Sequence, residues 1–366
     1  MKDKKINRPV ILVAPMDWGL GHATRCIPVI TTLQAQNCSV IIAACGPGRI
    51  LLQKEFPGLL CLDLRGYNIH YSRKRSWLPL TLFAQFPKLI STIYTEHRWL
   101  KRTVKQYAVD AVISDNRMGM FNRSIPCIYL THQLRIKTGN RFTERIVQKI
   151  HYWFISKFTE CWVPDVSDES NLAGELSHPV TMPSIPVKYI GPLSRFKKYP
   201  AEKKYDIAFI LSGPEPQRSI FEELILKDIG GCNKKAILVR GITDPVSLNE
   251  PGPSFLEIHN SLGREELNRV VLESDFIIGR SGYSTVMDME ALQKKALLVP
   301  TPGQTEQEYL AEYLSAKKMF CTASQEDFSL PAALKLLDGF SFRNAVTGQS
   351  ILENVLEEFL KSLSRN

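Results

Sequence analysis

The sequence predicts an α/β protein built of two Rossmann-like domains that face each other across a cleft. Short apolar runs alternate with helical segments along both halves of the 366 residues, and strands joined through helices make parallel sheets. Each half carries a glycine turn directly after an apolar run. Asp17-Trp18-Gly19-Leu20-Gly21-His22 follows Val10–Pro15, and Gly279-Arg280-Ser281-Gly282-Tyr283 follows Asp275-Phe276-Ile277-Ile278. A strand, a tight turn and a helix N-terminus together present unpaired backbone N–H groups to an anion. Between the halves, residues 177–204 form a proline-rich stretch containing Gly191-Pro192 and Tyr199-Pro200.

Each element has its own signal. Residues 10–14 form a continuous apolar run, as expected of a strand buried on both faces. Residues 23–36 predict a helix, with Ile27, Ile30 and Leu33 on one face. Further strands are expected at residues 39–44, 59–64, 111–114 and 127–130, with Gly46-Pro47-Gly48 as the turn after the second strand. The second half restarts the alternation. Strands are expected at 207–211, 236–239, 255–258, 276–278 and 297–299, and helices at 215–226, 264–273, 285–293 and 304–314. The last helix, about 349–362, is amphipathic through Ile351, Val355 and Phe359 and is expected to cross back to the first domain. The expected layout is a first domain at 1–190, a linker at 191–204, a second domain at 205–348 and a terminal helix at 349–366.

Charge divides the chain as clearly as pattern does. Residues 1–195 carry 26 Lys+Arg and 13 Asp+Glu, a balance of +13, whereas residues 196–366 carry 20 and 24, a balance of −4. The basic half is expected to meet an acidic partner such as a phosphate-bearing ligand or an anionic membrane. No nucleic-acid motif accompanies the charge, so nucleic acid is not expected. The 8 cysteines are scattered without a C-x-x-C pair, which predicts reduced thiols rather than a metal cluster. Residues 10–16 form too short an apolar run for a signal peptide and lead straight into the glycine turn. No stretch approaches the ~20 apolar residues a membrane span needs, so a cytoplasmic chain, soluble or peripheral, is expected.

In open α/β sheets, ligands bind beyond the carboxyl ends of the strands. That rule selects Gly19, Gly21, His22, Asp115 and His132 in the first half. His22 can serve as a general base, with Asp115 behind the ring to fix its tautomer. Plainer roles are open too: His22 can simply bond the turn, and Asp115 can cap a helix. In the second half the rule selects Ser212, Gly213, Arg240, Arg280, Ser281 and Gly282, and the loop from Thr301 through Gln304 and Thr305. Arg218 or Arg280 can offset charge on a diphosphate. Thr285 opens a helix, and Asp288 lies one turn further on, where its carboxylate can grip a ribose diol.

Arg280-Ser281-Gly282-x-x-Thr285-x-x-Asp288, followed by Pro300 and Gln307, resembles the C-terminal signature of glycosyltransferase family 28. Gly19-x-Gly21-His22 resembles that family's N-terminal glycine loop, so the likeness covers both halves in order. It implies a GT-B fold and an inverting, metal-independent transfer of a sugar from a nucleotide-sugar, a UDP-sugar by family habit, to a hydroxyl acceptor. By matching position, Asp288 would hold the ribose and Gln307 would lie near ribose or diphosphate. Ser212 and Gly213 would form the turn before the diphosphate-facing helix, and His132 would belong to the acceptor-side loop. His22 with Asp115 also resembles the His–Asp dyad of natural-product glycosyltransferases. The chain departs from the pattern in three places. The acidic residue is Asp288 rather than Glu, the 212–218 loop is not a run of small residues, and the segment after His132 lacks His-Glu-Gln-Asn. These departures point away from the peptidoglycan acceptor. No cofactor and no metal are expected, in keeping with the lack of an Asp-x-Asp motif.

A second likeness runs in parallel. Gly19-Leu20-Gly21-His22-x-x-Arg25-Cys26 resembles the loop of nucleotide-sugar hydrolases of the same fold, in which water replaces the acceptor. A hydrolase or epimerase, or a non-catalytic binder of nucleotide-sugars or lipids, are therefore alternatives. Residues 73–105 hold Arg73, Lys74, Arg75, Lys88, Arg98, Lys101, Arg102 and Lys105 against the single acid Glu96, interleaved with Trp77, Phe83, Phe86 and Trp99. Residues 135–158 repeat the mixture with Arg141, Arg145, Lys149, Trp153 and Phe154. Such segments suit helices lying on the inner face of an anionic membrane, where a lipid-linked acceptor would reside. A core face backed by a solvated cationic face gives the same pattern.

Overall fold

The computed structural model describes residues 8–67, 78–232, 234–242, 253–343 and 351–363, and gives the backbone alone for 78–86. Arg73, Lys74, Arg75 and Trp77 of the basic segment, and Gln349 at the expected helix start, lie outside the described residues. The chain divides into two compact units. The first comprises residues 1–171, 175–193 and 348–366, and the second residues 172–174 and 194–347.

In the first unit the elements run β1 (Val10–Pro15), α1 (Leu20–Ala35), β2 (Ser39–Ala44), α2 (Gly46–Glu55), β3 (Leu60–Asp63), α3 (Leu78–Tyr107), β4 (Ala111–Asp115), β5 (Cys127–Leu130), α4 (Arg141–Ile155), β6 (Glu160–Val163) and β7 (Val187–Tyr189). The strands form one parallel sheet in the order β3-β2-β1-β4-β5-β6-β7. The order reverses between β1 and β4, which is where an open α/β sheet opens a crevice for a ligand. Leu12, Ala14, Val112, Tyr129 and Cys161 are buried in one core cluster, as expected of strands covered by helices on both faces.

The second unit runs β8 (Tyr205–Ile210), α5 (Gln217–Ile229), β9 (Ala236–Val239), β10 (Leu256–His259), α6 (Arg264–Leu272), β11 (Ser274–Gly279), α7 (Tyr283–Leu292), β12 (Lys295–Leu298), α8 (Thr305–Ala316), β13 (Cys321–Thr322) and α9 (Leu330–Gly339). Its sheet is again parallel, in the order β10-β9-β8-β11-β12-β13, with the reversal between β8 and β11. The last helix, α10 (Ile351–Leu363), belongs to the first unit. There Gln36 donates to the Glu353 carbonyl at 3.1 Å, and Phe359 packs edge-on against Trp162 with centroids 5.4 Å apart.

Gly46-Pro47-Gly48 is not a free turn. It forms the first turn of α2, where proline's missing N–H costs nothing. The strands β6, β7 and β13 escape the sequence pattern because they are four, three and two residues long. All 8 cysteines are unpaired.

One buried ion pair braces the base of the first glycine turn. Arg117 Nε donates to Glu96 Oε1 at 2.7 Å, and both side chains are almost wholly buried. The same guanidinium donates to the Pro15 and Arg65 carbonyls, while Tyr67 donates its hydroxyl to Glu96 Oε2 at 2.6 Å. Asp17, inside the turn, accepts from the Tyr67 backbone N–H. A charge pair this dry persists only when its remaining valences are filled, and here they are.

Candidate active site

The glycine turn leaves β1 and enters α1 through Gly19, whose φ of 77° and ψ of 173° lie in a region open essentially to glycine alone. The helix that follows has no side-chain cap and no acid in its first turn. His22 stands in that first turn. Register aligns Pro15 of β1 with Asp115 of β4 and Asp115 with Leu130 of β5, so three neighbouring strands end in one row. His22, Asp115 and His132 therefore converge at the β1/β4 reversal.

His22 Nδ1 lies 3.1 Å from Asp115 Oδ2. The histidine side chain is 15% exposed, and the carboxylate is fully buried. The pattern rule did not single out Arg25. Its guanidinium grips Asp115 twice, from Nε to Oδ2 at 2.8 Å and from Nη2 to Oδ1. Nη2 also lies 2.7 Å from His22 Nδ1, and Nη1 lies 3.1 Å from His132 Nδ1. The available signal was spacing: a residue three positions beyond His22 shares its helix face. His132 is buried within this cluster.

These contacts set the charges. Burial pushes the Asp115 carboxyl up, but Arg25 and then His22 outweigh it and hold the group down at about 2. Burial lowers the His22 pKa, Arg25 lowers it further, and Asp115 opposes both. At neutral pH the cluster thus contains an arginine, a carboxylate and an uncharged His22 imidazole, the form a general base requires.

The second unit gathers a different set. After β8, Ser212 and Gly213 form an exposed turn with Gly213 at φ 103°. A Cβ at Gly213 would come within 3.7 Å of Thr301 Oγ1, a buried hydroxyl with no hydrogen-bond partner among the described residues. Gly282 caps α7 without a side-chain bond, and the first turn, which includes Thr285, holds no acid. Ser281 donates to the Gln307 carbonyl at 2.9 Å. Gln307 Oε1 accepts the Thr301 N–H at 2.9 Å, and its Nε2 donates to Gln304 Oε1 at 2.5 Å. Gln304 caps α8, and Thr305 is that helix's first residue. Thr301 and Gln307 are thereby tied to the loop after β11.

The arginines are engaged within the protein. Arg280 is buried and donates to the carbonyls of Val299, Pro300 and Gln217 and to Gln325 Oε1. Its guanidinium lies 4.5 Å over the Phe221 ring. Burial brings its pKa down to about 10, so it stays charged at neutral pH while stitching loops together. Arg218 pairs with Glu215 at 2.5 Å and Glu222 at 2.7 Å, and Arg240 pairs with Glu222 at 2.7 Å. Glu222 thus ties both arginines together. Asp288 accepts the Ser194 hydroxyl at 2.6 Å, and burial raises its pKa to about 6 against the pull of Arg195.

The described parts of the basic segments form a surface on the first unit. Phe142, Ile146, Ile150 and Trp153 are exposed along α4, and Ile90 and Tyr94 along α3. A shallow apolar groove is lined by Ile90, Lys149, Ile150, Trp153 and Phe154. Lys157 sits 4.4 Å over the Trp153 ring. No helix among the described residues is long and apolar enough to cross a membrane.

Two Rossmann-like units, each with its reversal point furnished for a ligand, define the GT-B class of fold. Solved structures agree over nearly the whole chain. The kitacinnamycin glycosyltransferase is 15% identical with a TM-score of 0.62, covering 98% of this chain and 96% of its own. MurG of Acinetobacter baumannii is 16% identical with a TM-score of 0.53, covering 97% and 99%. A Listeria monocytogenes protein provisionally assigned as a UDP-N-acetylglucosamine 2-epimerase is 12% identical with a TM-score of 0.59, covering 98% of each chain. Residues 253–350 match the glycosyltransferase family 28 C-terminal domain, the family whose signature the Arg280–Asp288 and Pro300–Gln307 segments resemble. No curated protein matches the sequence.

Proposed function

We propose that this chain is an inverting glycosyltransferase that moves a sugar from a nucleotide-sugar, a UDP-sugar in the family pattern, to a hydroxyl acceptor. The observation that carries the reading is the contact between His22 Nδ1 and the buried Asp115 at the β1/β4 reversal. The family 28 match over 253–350 supports donor binding by the second unit. His22 Nε2 would take the proton from the acceptor hydroxyl as that oxygen attacks the anomeric carbon in line and the nucleoside diphosphate departs. The diphosphate would lie on the N-terminus of α7 beside Ser281, Gly282 and Thr285, with Gly213 allowing close approach and Thr301 Oγ1 as a donor. Asp288 would accept from the ribose hydroxyls, with Gln304, Thr305 and Gln307 framing the nucleotide. Arg280 would act by holding these loops rather than by touching phosphate. Donor activation would need no metal.

The exposed Phe142, Ile146, Ile150 and Trp153 among Arg141, Arg145 and Lys149 support peripheral binding to an anionic membrane on the cytoplasmic side, and hence a lipid-linked acceptor. Sedimentation with phosphatidylglycerol vesicles, compared with phosphatidylcholine vesicles, tests this. Equal recovery on both would remove the charge argument.

The second reading is a nucleotide-sugar hydrolase or epimerase. It is favoured by the Gly19-x-Gly21-His22-x-x-Arg25 loop and by the Listeria neighbour. One assay separates the readings: nucleoside diphosphate release from UDP-, GDP- and dTDP-sugars, with and without a bacterial lipid extract. Release that requires the extract supports transfer. Equal release without it makes water the acceptor, and no release with tight nucleotide-sugar binding leaves an epimerase or a binder, which chromatography of the recovered nucleotide-sugar tells apart.

A further inference from the structure

Nδ1 of His22 has two suitors. Asp115 Oδ2 lies 3.1 Å away and can only accept, while Arg25 Nη2 lies 2.7 Å away and can only donate. One nitrogen cannot satisfy both. With a proton on Nδ1, the ring bonds Asp115 and leaves Nε2 as a base. With a lone pair on Nδ1, the ring accepts from Arg25 and turns an Nε2–H outward. A doubly protonated ring would place its Nδ1–H against the guanidinium, donor facing donor.

The remaining surroundings do not relieve this competition. Among the described residues, the charged and titratable groups acting on the ring are Arg25 from α1, Asp115 from β4 and His132 after β5. Cys26 Sγ points at Asp115 Oδ2 from 3.8 Å, and His132 Nδ1 is met by Arg25 Nη1. Arg25 thus engages the other three partners of the cluster: both oxygens of Asp115, His22 and His132. It is 3% exposed, so solvent cannot substitute for it.

We propose that Arg25 is a positioning residue that competes with Asp115 for His22 Nδ1, keeping the ring uncharged and setting which tautomer meets the substrate. This rests on the reading of His22 as the base, but it has consequences of its own. The Asp115 charge is shared with Arg25, so His22 is spared the full pull toward the imidazolium that an unpaired carboxylate would exert. The ring then stays a proton acceptor well into acid solution, whether the nucleophile is a sugar hydroxyl or water.

The test is the titration of His22 followed by NMR on selectively labelled histidine, beside the pH profile of kcat/KM. Arg25→Gln removes the competing donor charge and leaves Asp115 facing the ring alone. The midpoint of His22 should rise by about one pH unit or more, a tenfold change in its protonation ratio. Arg25→Lys should restore part of the wild-type value. A folded Arg25→Gln protein with an unmoved midpoint and tautomer would reduce Arg25 to a strut and overturn the proposal. Should Arg25→Gln fail to fold, Asp115→Asn supplies the converse. It keeps the guanidinium, removes the carboxylate charge and adds an amide donor, so the midpoint should drop below wild type and the Nε2–H tautomer should dominate. No change there overturns the proposal equally. If the midpoint moves as expected but the acid limb of kcat/KM does not follow, Arg25 acts as proposed and His22 is not the base.

Discussion

The two units share one architecture and furnish it differently. At the β1/β4 reversal the first unit packs an arginine, a carboxylate and two imidazoles within direct reach of one another. At the equivalent β8/β11 reversal the second unit offers hydroxyls, amides and an uncapped helix, with Arg218 and Arg240 already neutralised by Glu215 and Glu222. Proton transfer needs a titratable group with tuned surroundings. Recognition of a polyanion needs fixed donors that are not already matched to a stronger partner. Under the proposed function this contrast corresponds to chemistry in the first unit and ligand retention in the second, although the net charge of the two halves alone suggests that the basic half would do the binding.

The sharpest way to break this division is His22→Ala. It should lower turnover by about 10²- to 10⁴-fold, the usual range for a lost general base. Nucleotide affinity, measured by calorimetry, should stay within about twofold of wild type. Equal losses in both would mean that His22 holds ligand rather than protons. The intact enzyme should also keep its activity below the pH of an ordinary histidine, since burial and Arg25 both lower the His22 pKa. An acid limb of kcat/KM centred at or above pH 6.5 would contradict that.

Stability should separate the units next. Arg117→Met leaves Glu96 buried without its partner, and breaking such a pair costs about 3–5 kcal/mol. The loss should appear in urea unfolding and should abolish activity through the glycine turn, whereas nucleotide binding by the folded protein should survive. A loss below about 1 kcal/mol would show that the pair does not brace the turn.

The parts of the molecule differed in how far they could be read beforehand. Long apolar strands ending in glycine, aspartate or histidine were legible because a parallel sheet buries them on both faces and exposes only their ends. His22, Asp115 and His132 fell out of that rule, although His22 lies 93 positions before Asp115 and farther still before His132. Arg25 did not, because a charged residue in an amphipathic helix looks solvated until the facing strand is known. Arg280 was legible as part of a signature, but not in its job: only coordinates show the guanidinium turned inward onto carbonyls and Phe221. Ser194 was hidden for a third reason. It lies in a stretch whose composition marks a linker, yet it supplies the hydroxyl that Asp288 accepts.

Under the proposed function Asp288 joins that stretch to ligand binding. Asp288→Ala should weaken nucleotide affinity by roughly 10- to 100-fold, as expected for a lost bond to a charged acceptor, about 1.5–3 kcal/mol, while leaving kcat at saturating donor close to wild type. The pH dependence has a definite sign. Folding raises this carboxyl from 3.8 to about 6, so its contribution to stability is present below pH 3.8 and is lost as pH rises through about 6. Affinity for a ribose diol should move oppositely, because only the carboxylate accepts from both hydroxyls. Nucleotide binding should tighten as pH rises through about 6, and Asp288→Asn should flatten that rise. A rise that persists in Asp288→Asn would place the titrating group elsewhere.

Thr301 gives the smallest effect and the most selective one. Its hydroxyl is buried with no partner among the described residues, and such a group costs free energy until something bonds to it. Thr301→Val keeps the shape and removes the unmet bond. The ligand-free protein should therefore be no less stable than wild type in thermal unfolding. Nucleoside diphosphate should bind about 10-fold more weakly, the low end for one hydrogen bond to a charged group, about 1.5 kcal/mol. The backbone N–H of Thr301, which Gln307 accepts, is untouched by the change, so the loop should hold its form. Opposite movement of stability and affinity would be hard to obtain from a residue that merely packs. If Val instead destabilises the free protein and leaves affinity alone, the hydroxyl serves the fold and the diphosphate lies away from the Gly213 turn.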